Sequence, residues 1–126
     1  FGVAENIPLD DCSVDYVVST LVLCSVNDVP TVLQEIKRVL KAGGKYIFIE
    51  HVAGEEGSFR RAIQNFAVHT PYTFFSDGCH PNRETWKYIE NAGFGEVRIE
   101  RYMQQKMKYN PLMALDRPHI IGVAVK

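Results

Sequence analysis

Nothing in this 126-residue sequence approaches the roughly 20 consecutive apolar residues that a membrane-spanning helix needs, and no basic-then-apolar leader opens it. Runs of lysine or arginine are missing too. The 14 basic and 15 acidic residues are scattered and nearly balanced, which removes the electrostatic footprint of a nucleic-acid binder, and no such partner is expected. Cysteine is scarce. Cys12, Cys24 and Cys79 are odd in number and widely spaced, with no CxxC pair, so neither a disulfide framework nor a structural zinc site is supported and a reducing, intracellular setting is expected. Cys79 and His80 stand side by side, but adjacent ligands alone make no tetrahedral site, so no metal is expected. Internal repeats and low-complexity tracts are also wanting. What is present is a chain 46% hydrophobic, long enough for one domain with a real core.

A glycine pair, Gly43-Gly44, invites a phosphate-loop reading, but such a loop runs strand, glycines, helix, and here the order is reversed. Val32, Leu33, Ile36, Val39 and Leu40 form the stripe of an amphipathic helix over about residues 28–42, with Asn27 or Asp28 as N-cap and Gly43 as the glycine past its end. Upstream, "VDYVVSTLVLCSV" reads as a strand buried on both faces that runs out near Thr20, and downstream "KYIFIEHV" reads as a second. Strand, helix and strand make a right-handed βαβ unit, whose ligand edge lies beyond the carboxyl ends of the strands, at residues 20–25 and at Glu50 and His51. Next come an apolar-striped helix capped by Ser58 and carrying Phe59, Ala62, Ile63, Phe66 and Ala67, and an irregular segment over 70–82. A helix capped by Asn82 and stopped at Gly93 follows, then two strands, "EVRIERY" and "HIIGVAVK", joined by a long connection holding Met107, Pro111 and Met113.

Taken in order, "AENIPLDDCSVDYVVSTLVLCSVNDVPTVLQEIKRVLKAGGKYIFIEH" resembles the type 11 pattern of class I S-adenosylmethionine-dependent methyltransferases. Within that superfamily "STLVLCSV", "EHVA", "SDGCH", "RETWKYIENAGF" and "PHIIGVAVK" are similar to the methyltransferase-like protein 7 family of microsomal alkyl-thiol methyltransferases. The resemblance implies an α/β Rossmann-like domain over residues 1–126, its sheet mostly parallel with an antiparallel last strand. It implies a fragment that lacks the N-terminal strands and glycine-rich loop, and so an isolated chain without turnover. The cofactor would be S-adenosylmethionine and the acceptor a small apolar molecule, with an alkyl thiol favoured. Other small-molecule C- or O-methyltransferases, such as those of quinone biosynthesis, and a non-catalytic interaction domain are the alternatives. Membrane association through a missing N-terminal segment, at the cytosolic face of the endoplasmic reticulum or a lipid droplet, is implied by the resemblance alone.

Methyl transfer from a sulfonium is an in-line displacement, so the chain must mainly position its reactants and help form a thiolate. Ala4 and Glu5 resemble the loop that lines the adenine, and Thr20 and Leu21 sit where the strand end approaches the methionine moiety. His51 is the candidate base, with Glu50 to orient it. Cys24, Ser25, Phe74, Phe75, Cys79 and Trp86 are the candidate acceptor pocket. "YMQQK" has Tyr-x-x-x-Lys spacing, but no helix is expected there to bring both side chains onto one face.

Overall fold

The computed structural model describes residues 2–104 and 115–126. The long connection and Lys106 of "YMQQK" fall largely or wholly outside the described residues. Eight elements follow in order: β1 (Val14–Thr20), α1 (Val29–Val39), β2 (Leu40–His51), α2 (Phe59–Ala67), α3 (Tyr72–Phe75), α4 (Thr85–Glu90), β3 (Glu96–Met103) and β4 (Pro118–Val125). The sheet order is β1-β2-β4-β3. β1 and β2 pair in parallel, and β4 pairs antiparallel with both β2 and β3. Three strands therefore point one way, and the last, reversed, is inserted between β2 and β3.

α1 forms because its apolar residues repeat at helical spacing and Asp28 caps it, accepting from the Thr31 amide at 3.1 Å. Val29, Val32, Leu33, Ile36 and Val39 are its buried face. The first four join Leu40, Tyr46, Phe48, Ile89, Ile120 and Ala124 in one core cluster, to which Trp86, Phe94 and Val97 add partial cover. α1 and α4 thus close one face of the sheet.

Several expectations require correction. α1 ends at Val39 and Leu40 is already extended (φ −68°, ψ 135°), so Gly43 is not its cap. The glycine pair is a stop of another kind. Val14 faces Leu40 and Tyr16 faces Lys45, so the four residues 41–44 of β2 oppose the single residue Asp15 of β1 in a bulge, and Gly43 takes φ 76° there. β1 is not buried on both faces: Tyr16 and Val18 are 61% and 66% exposed, because the described elements cover one side of the sheet only. On α2 the apolar stripe points out, with Phe59 and Phe66 exposed and the helix held by Gln64, which is fully buried. Its Oε1 accepts from the Gly54 amide at 2.7 Å and its Nε2 donates to the Leu115 carbonyl at 2.7 Å. Ser58 does cap α2 through the Arg61 amide. Asn82 does not cap α4, whose N-cap is Glu84; it donates instead to Asn65.

Gly122 of β4 lies opposite Phe48 on one side and Ile99 on the other, and a Cβ there would stand 2.3 Å from the Arg98 carbonyl oxygen and 2.5 Å from the Phe48 ring. A Gly122→Val substitution is therefore expected to lower stability by about 1–3 kcal/mol or more through overpacking. The urea midpoint checks this, and an unchanged midpoint would refute the close approach.

Candidate functional site

The carboxyl ends of β1 and β2 are tied together by a buried chain of hydrogen bonds. The Tyr46 and Ser19 hydroxyls lie 2.7 Å apart, and Ser19 donates to Glu50 Oε1 at 3.0 Å. The same oxygen accepts from the Val22 amide at 3.1 Å. Glu50 is fully buried, and burial raises its pKa above the usual carboxylate range. Its side chain thus serves the loop after β1. It cannot orient His51, because consecutive strand residues point to opposite faces, so the pairing expected between the two does not form.

The loop leaving β1 is sharply shaped. Leu21 takes φ 56°, a left-handed conformation that costs a non-glycine residue about 1–2 kcal/mol, while its amide donates to the Ile49 carbonyl at 2.8 Å. Further on, Arg83 clamps the loop: its Nη1 donates to the carbonyls of Leu23 at 2.6 Å and Val26 at 2.7 Å. The His80 amide donates to the Cys24 carbonyl at 2.9 Å. Cys79 follows a left-handed turn at Asp77 and Gly78, where the Gly78 amide donates to the Thr73 carbonyl at 2.7 Å.

These constraints bring Cys24, His51 and Cys79 together. Their exposures are 2%, 5% and 6%, and their donor atoms all lie within 4.8 Å of one another. His51 Nε2 contacts Cys79 Sγ, and Cys24 Sγ lies 3.5 Å from Ser25 Oγ. A hydrogen bond from Cys79 holds the Cys24 thiol well below its ordinary range against the opposing effect of burial, with His51 adding to the lowering. Cys79 is pushed up by the same bond and by burial. Burial works against a charged His51, but hydrogen bonding and charge from Cys24 outweigh it and raise the imidazole. The His51 ring meets His119 edge-on, with centroids 6.2 Å apart. His119 and Val52 begin a cleft of about 330 Å3 lined also by Tyr102, Met103 and Pro118.

Other expected residues are arranged differently. Ala4 and Glu5 form the middle of a tight turn closed by the Asn6 amide on the Val3 carbonyl at 3.0 Å. The segment after it is moored to α1: Arg38 binds Glu35, Asp11 and the Leu9 and Ile7 carbonyls at 2.7–2.9 Å, and Glu35 accepts from the Ile7 amide. The hydrogen bonds from Arg38 and then Ile7 hold the Glu35 carboxyl at about 2. Thr20 and Leu21 are exposed on the ligand edge. Phe74 and Phe75 form an edge-to-face pair 83% and 82% exposed, so they do not wall an enclosed pocket. Trp86 packs against the core and beneath the Arg101 guanidinium, 4.0 Å from its ring centroid. Sequence reasoning missed Arg83 and His119, which carry no local signature beyond the "RETW" and "PHIIG" stretches that contain them.

Comparison with known proteins fits this geometry. Residues 2–48 match the family described as methyltransferase domain. The chain is 46% identical over 118 residues to thiol S-methyltransferase TMT1B of Rattus norvegicus, an alignment that takes in 94% of this chain and 46% of that protein. It is 41% identical over 116 residues to thiol S-methyltransferase TMT1A of Homo sapiens, covering 92% and 45%. The chain thus spans about half the length of the curated relatives it matches. Among solved structures, a SAM-dependent methyltransferase of Thermotoga maritima described as a possible histamine N-methyltransferase superposes with a TM-score of 0.69 at 22% identity, over 99% of this chain and 62% of that one, which shows the shared fold. With identity of this extent over nearly its whole length, the chain is similar to the thiol S-methyltransferases, carries the methyltransferase domain match and shares the fold of S-adenosylmethionine-dependent methyltransferases.

Proposed function

We propose that the full-length protein transfers the methyl group of S-adenosylmethionine to a small apolar thiol. The observation that carries this reading is the Cys24, His51 and Cys79 cluster at the carboxyl ends of β1 and β2, the edge where open α/β sheets bind their ligands. Support comes also from the names of the relatives and from the cleft that starts at Val52 and His119, next to His51, where Met103 and Pro118 share the walls with Arg60 and Arg101. Ala4 and Glu5 in their moored turn, with Thr20 and Leu21 at the strand end, are the residues of this chain offered to the cofactor. The acceptor sulfur attacks the methyl carbon, the carbon–sulfonium bond breaks, and its electron pair stays on the departing sulfur to give S-adenosylhomocysteine. The thiol must shed its proton first, and in this reading His51 is where the acceptor sulfur is made nucleophilic.

Membrane association belongs to the same proposal, supported by the aromatic side chains of Phe59, Phe66, Phe74 and Phe75 left open to solvent. Flotation of the full-length protein with lipid vesicles is expected, and a wholly soluble pool would remove the idea.

Full-length protein supplied with S-adenosylmethionine is expected to form S-adenosylhomocysteine only when a small alkyl thiol is added, and His51→Ala is expected to slow that reaction by about a hundred-fold or more. Product that ignores thiols but follows a carbon or oxygen acceptor would shift the acceptor class, and failure to bind the cofactor would leave a non-catalytic domain. A second outcome concerns the loop. Glu50→Leu is expected to cost about 1–3 kcal/mol in a urea titration, since it strands the Val22 amide and leaves the Ser19 hydroxyl with Tyr46 alone, while Glu50→Gln keeps an acceptor oxygen and most of the stability. Equal losses in the two variants would show that the hydrogen bonds are not what Glu50 supplies.

A further inference from the structure

We propose that Cys24, His51 and Cys79 form a binding site for one soft divalent cation, zinc above all, with a fourth coordination position for the acceptor sulfur. The inference rests on the thiol-methyltransferase reading and says how the acceptor thiolate is made.

Two sulfurs and one imidazole nitrogen are a donor set that selects zinc over magnesium or calcium, whose ligands are oxygens. In a tetrahedral zinc site, bonds of about 2.3 Å to sulfur and about 2.0 Å to nitrogen place neighbouring donors about 3.5–3.8 Å apart. The three donors here lie within 4.8 Å of one another, with His51 Nε2 and Cys79 Sγ already in contact, so side-chain adjustment alone, with that pair opening, would seat an ion among them. They come from three separate segments, each fixed by backbone hydrogen bonds. The Cys24 loop is clamped by Arg83 and by the His80 amide, His51 closes β2 in register with His119, and Cys79 sits on the turn at 77–78, its amide donating to the Ser76 carbonyl.

The surroundings provide a second, independent observation. His51 Nδ1 and Asp116 Oδ1 are buried and have no hydrogen-bond partner among the described residues. A ligating imidazole ordinarily donates its other ring hydrogen to an acceptor or a water, and a cation with its bound water would engage polar atoms that stand idle. Nη1 of Arg83, beside the Cys24 loop, is taken up by two backbone carbonyls. Three protein ligands leave one tetrahedral position open, the arrangement of catalytic zinc sites. An acceptor thiol arriving along the cleft beside Val52 and His119 would bind there as thiolate, releasing its proton to solvent. The thiolate then displaces the sulfonium as described above, so no oxidant or reductant enters.

The test uses full-length, reduced protein freed of metal and titrated with Co2+ and with Zn2+. Expected are one equivalent per chain, a thiolate-to-cobalt charge-transfer band, and displacement of cobalt by zinc. Cys24→Ser and Cys79→Ser are each expected to weaken binding by about a hundred-fold, and the exposed Cys12→Ser to leave it unchanged. Circular dichroism confirms that each variant is folded; if one is not, the wild-type stoichiometry and the charge-transfer band decide alone. No band, or a band indifferent to the Cys24 and Cys79 changes, overturns the site. Methyl transfer separates the two proposals. Thiol methylation that is lost on removing metal and restored by zinc supports both. Undiminished methylation by metal-free protein overturns the cation's role and returns the proton to His51 itself. Stoichiometric cobalt binding without thiol-dependent product supports the site and overturns the acceptor.

Discussion

The buried carboxyl of Glu50 is the constraint on which the functional edge depends. One side chain, without a counter-ion among the described residues, joins the ends of two strands by accepting from Ser19 and from the Val22 amide, and Tyr46 extends the chain of bonds into the core. Because Val22 is held, the strained turn at Leu21 is held, and Cys24 is delivered two residues later to a fixed place. Alternation along β2 then sends the next side chain, His51, to the other face. Two adjacent residues that look like a charged pair in the sequence therefore act on different structures, one as a brace and one as a ligand-facing group.

Much of this was legible from pattern. The β-branched run before Thr20, the helical stripe from Val32 to Leu40 and the alternation of "EVRIERY" specify local geometry by side-chain period, and β1, α1 and β3 follow them closely. The reversed last strand came from resemblance, and the sheet order agrees with it. Period alone misled on α2. A stripe of Phe59, Ile63 and Phe66 fits a buried face, yet a single buried Gln64, bonded to Gly54 and Leu115, anchors the helix by its opposite side. Specific hydrogen bonds to loop backbone outweighed apolar periodicity, and nothing in the spacing announces them.

The cluster of cysteines and histidine shows a different limit. Adjacent Cys79 and His80 draw the eye because ligand motifs are recognised by short spacing, but His80 contributes its backbone, not its ring, by donating to the Cys24 carbonyl. Cys24 and Cys79 both meet His51 across separations too long for any motif, 28 residues in the case of Cys79. A parallel βαβ crossover puts the ends of its strands side by side regardless of what lies between them, so chemistry at such an edge is written in topology. Of the candidates at that edge the structure brings Cys24 and His51 together, joined by Cys79 from the 70–82 segment; Phe74, Phe75 and Trp86, chosen for apolar character, are not part of that cluster.

The position of β4 bears on how the molecule is made. It is the last of the four strands to be synthesised, yet it lies inside the sheet, and β3 has no other strand partner among the described residues. During synthesis β2 can pair with β1 as soon as both have emerged, while the second edge of β2 and the whole of β3 must wait for the chain beyond residue 118. Shortening the chain by that one strand would therefore remove two from the sheet, and with them His119, the neighbour of His51. Completion of the ligand edge is timed by the final strand.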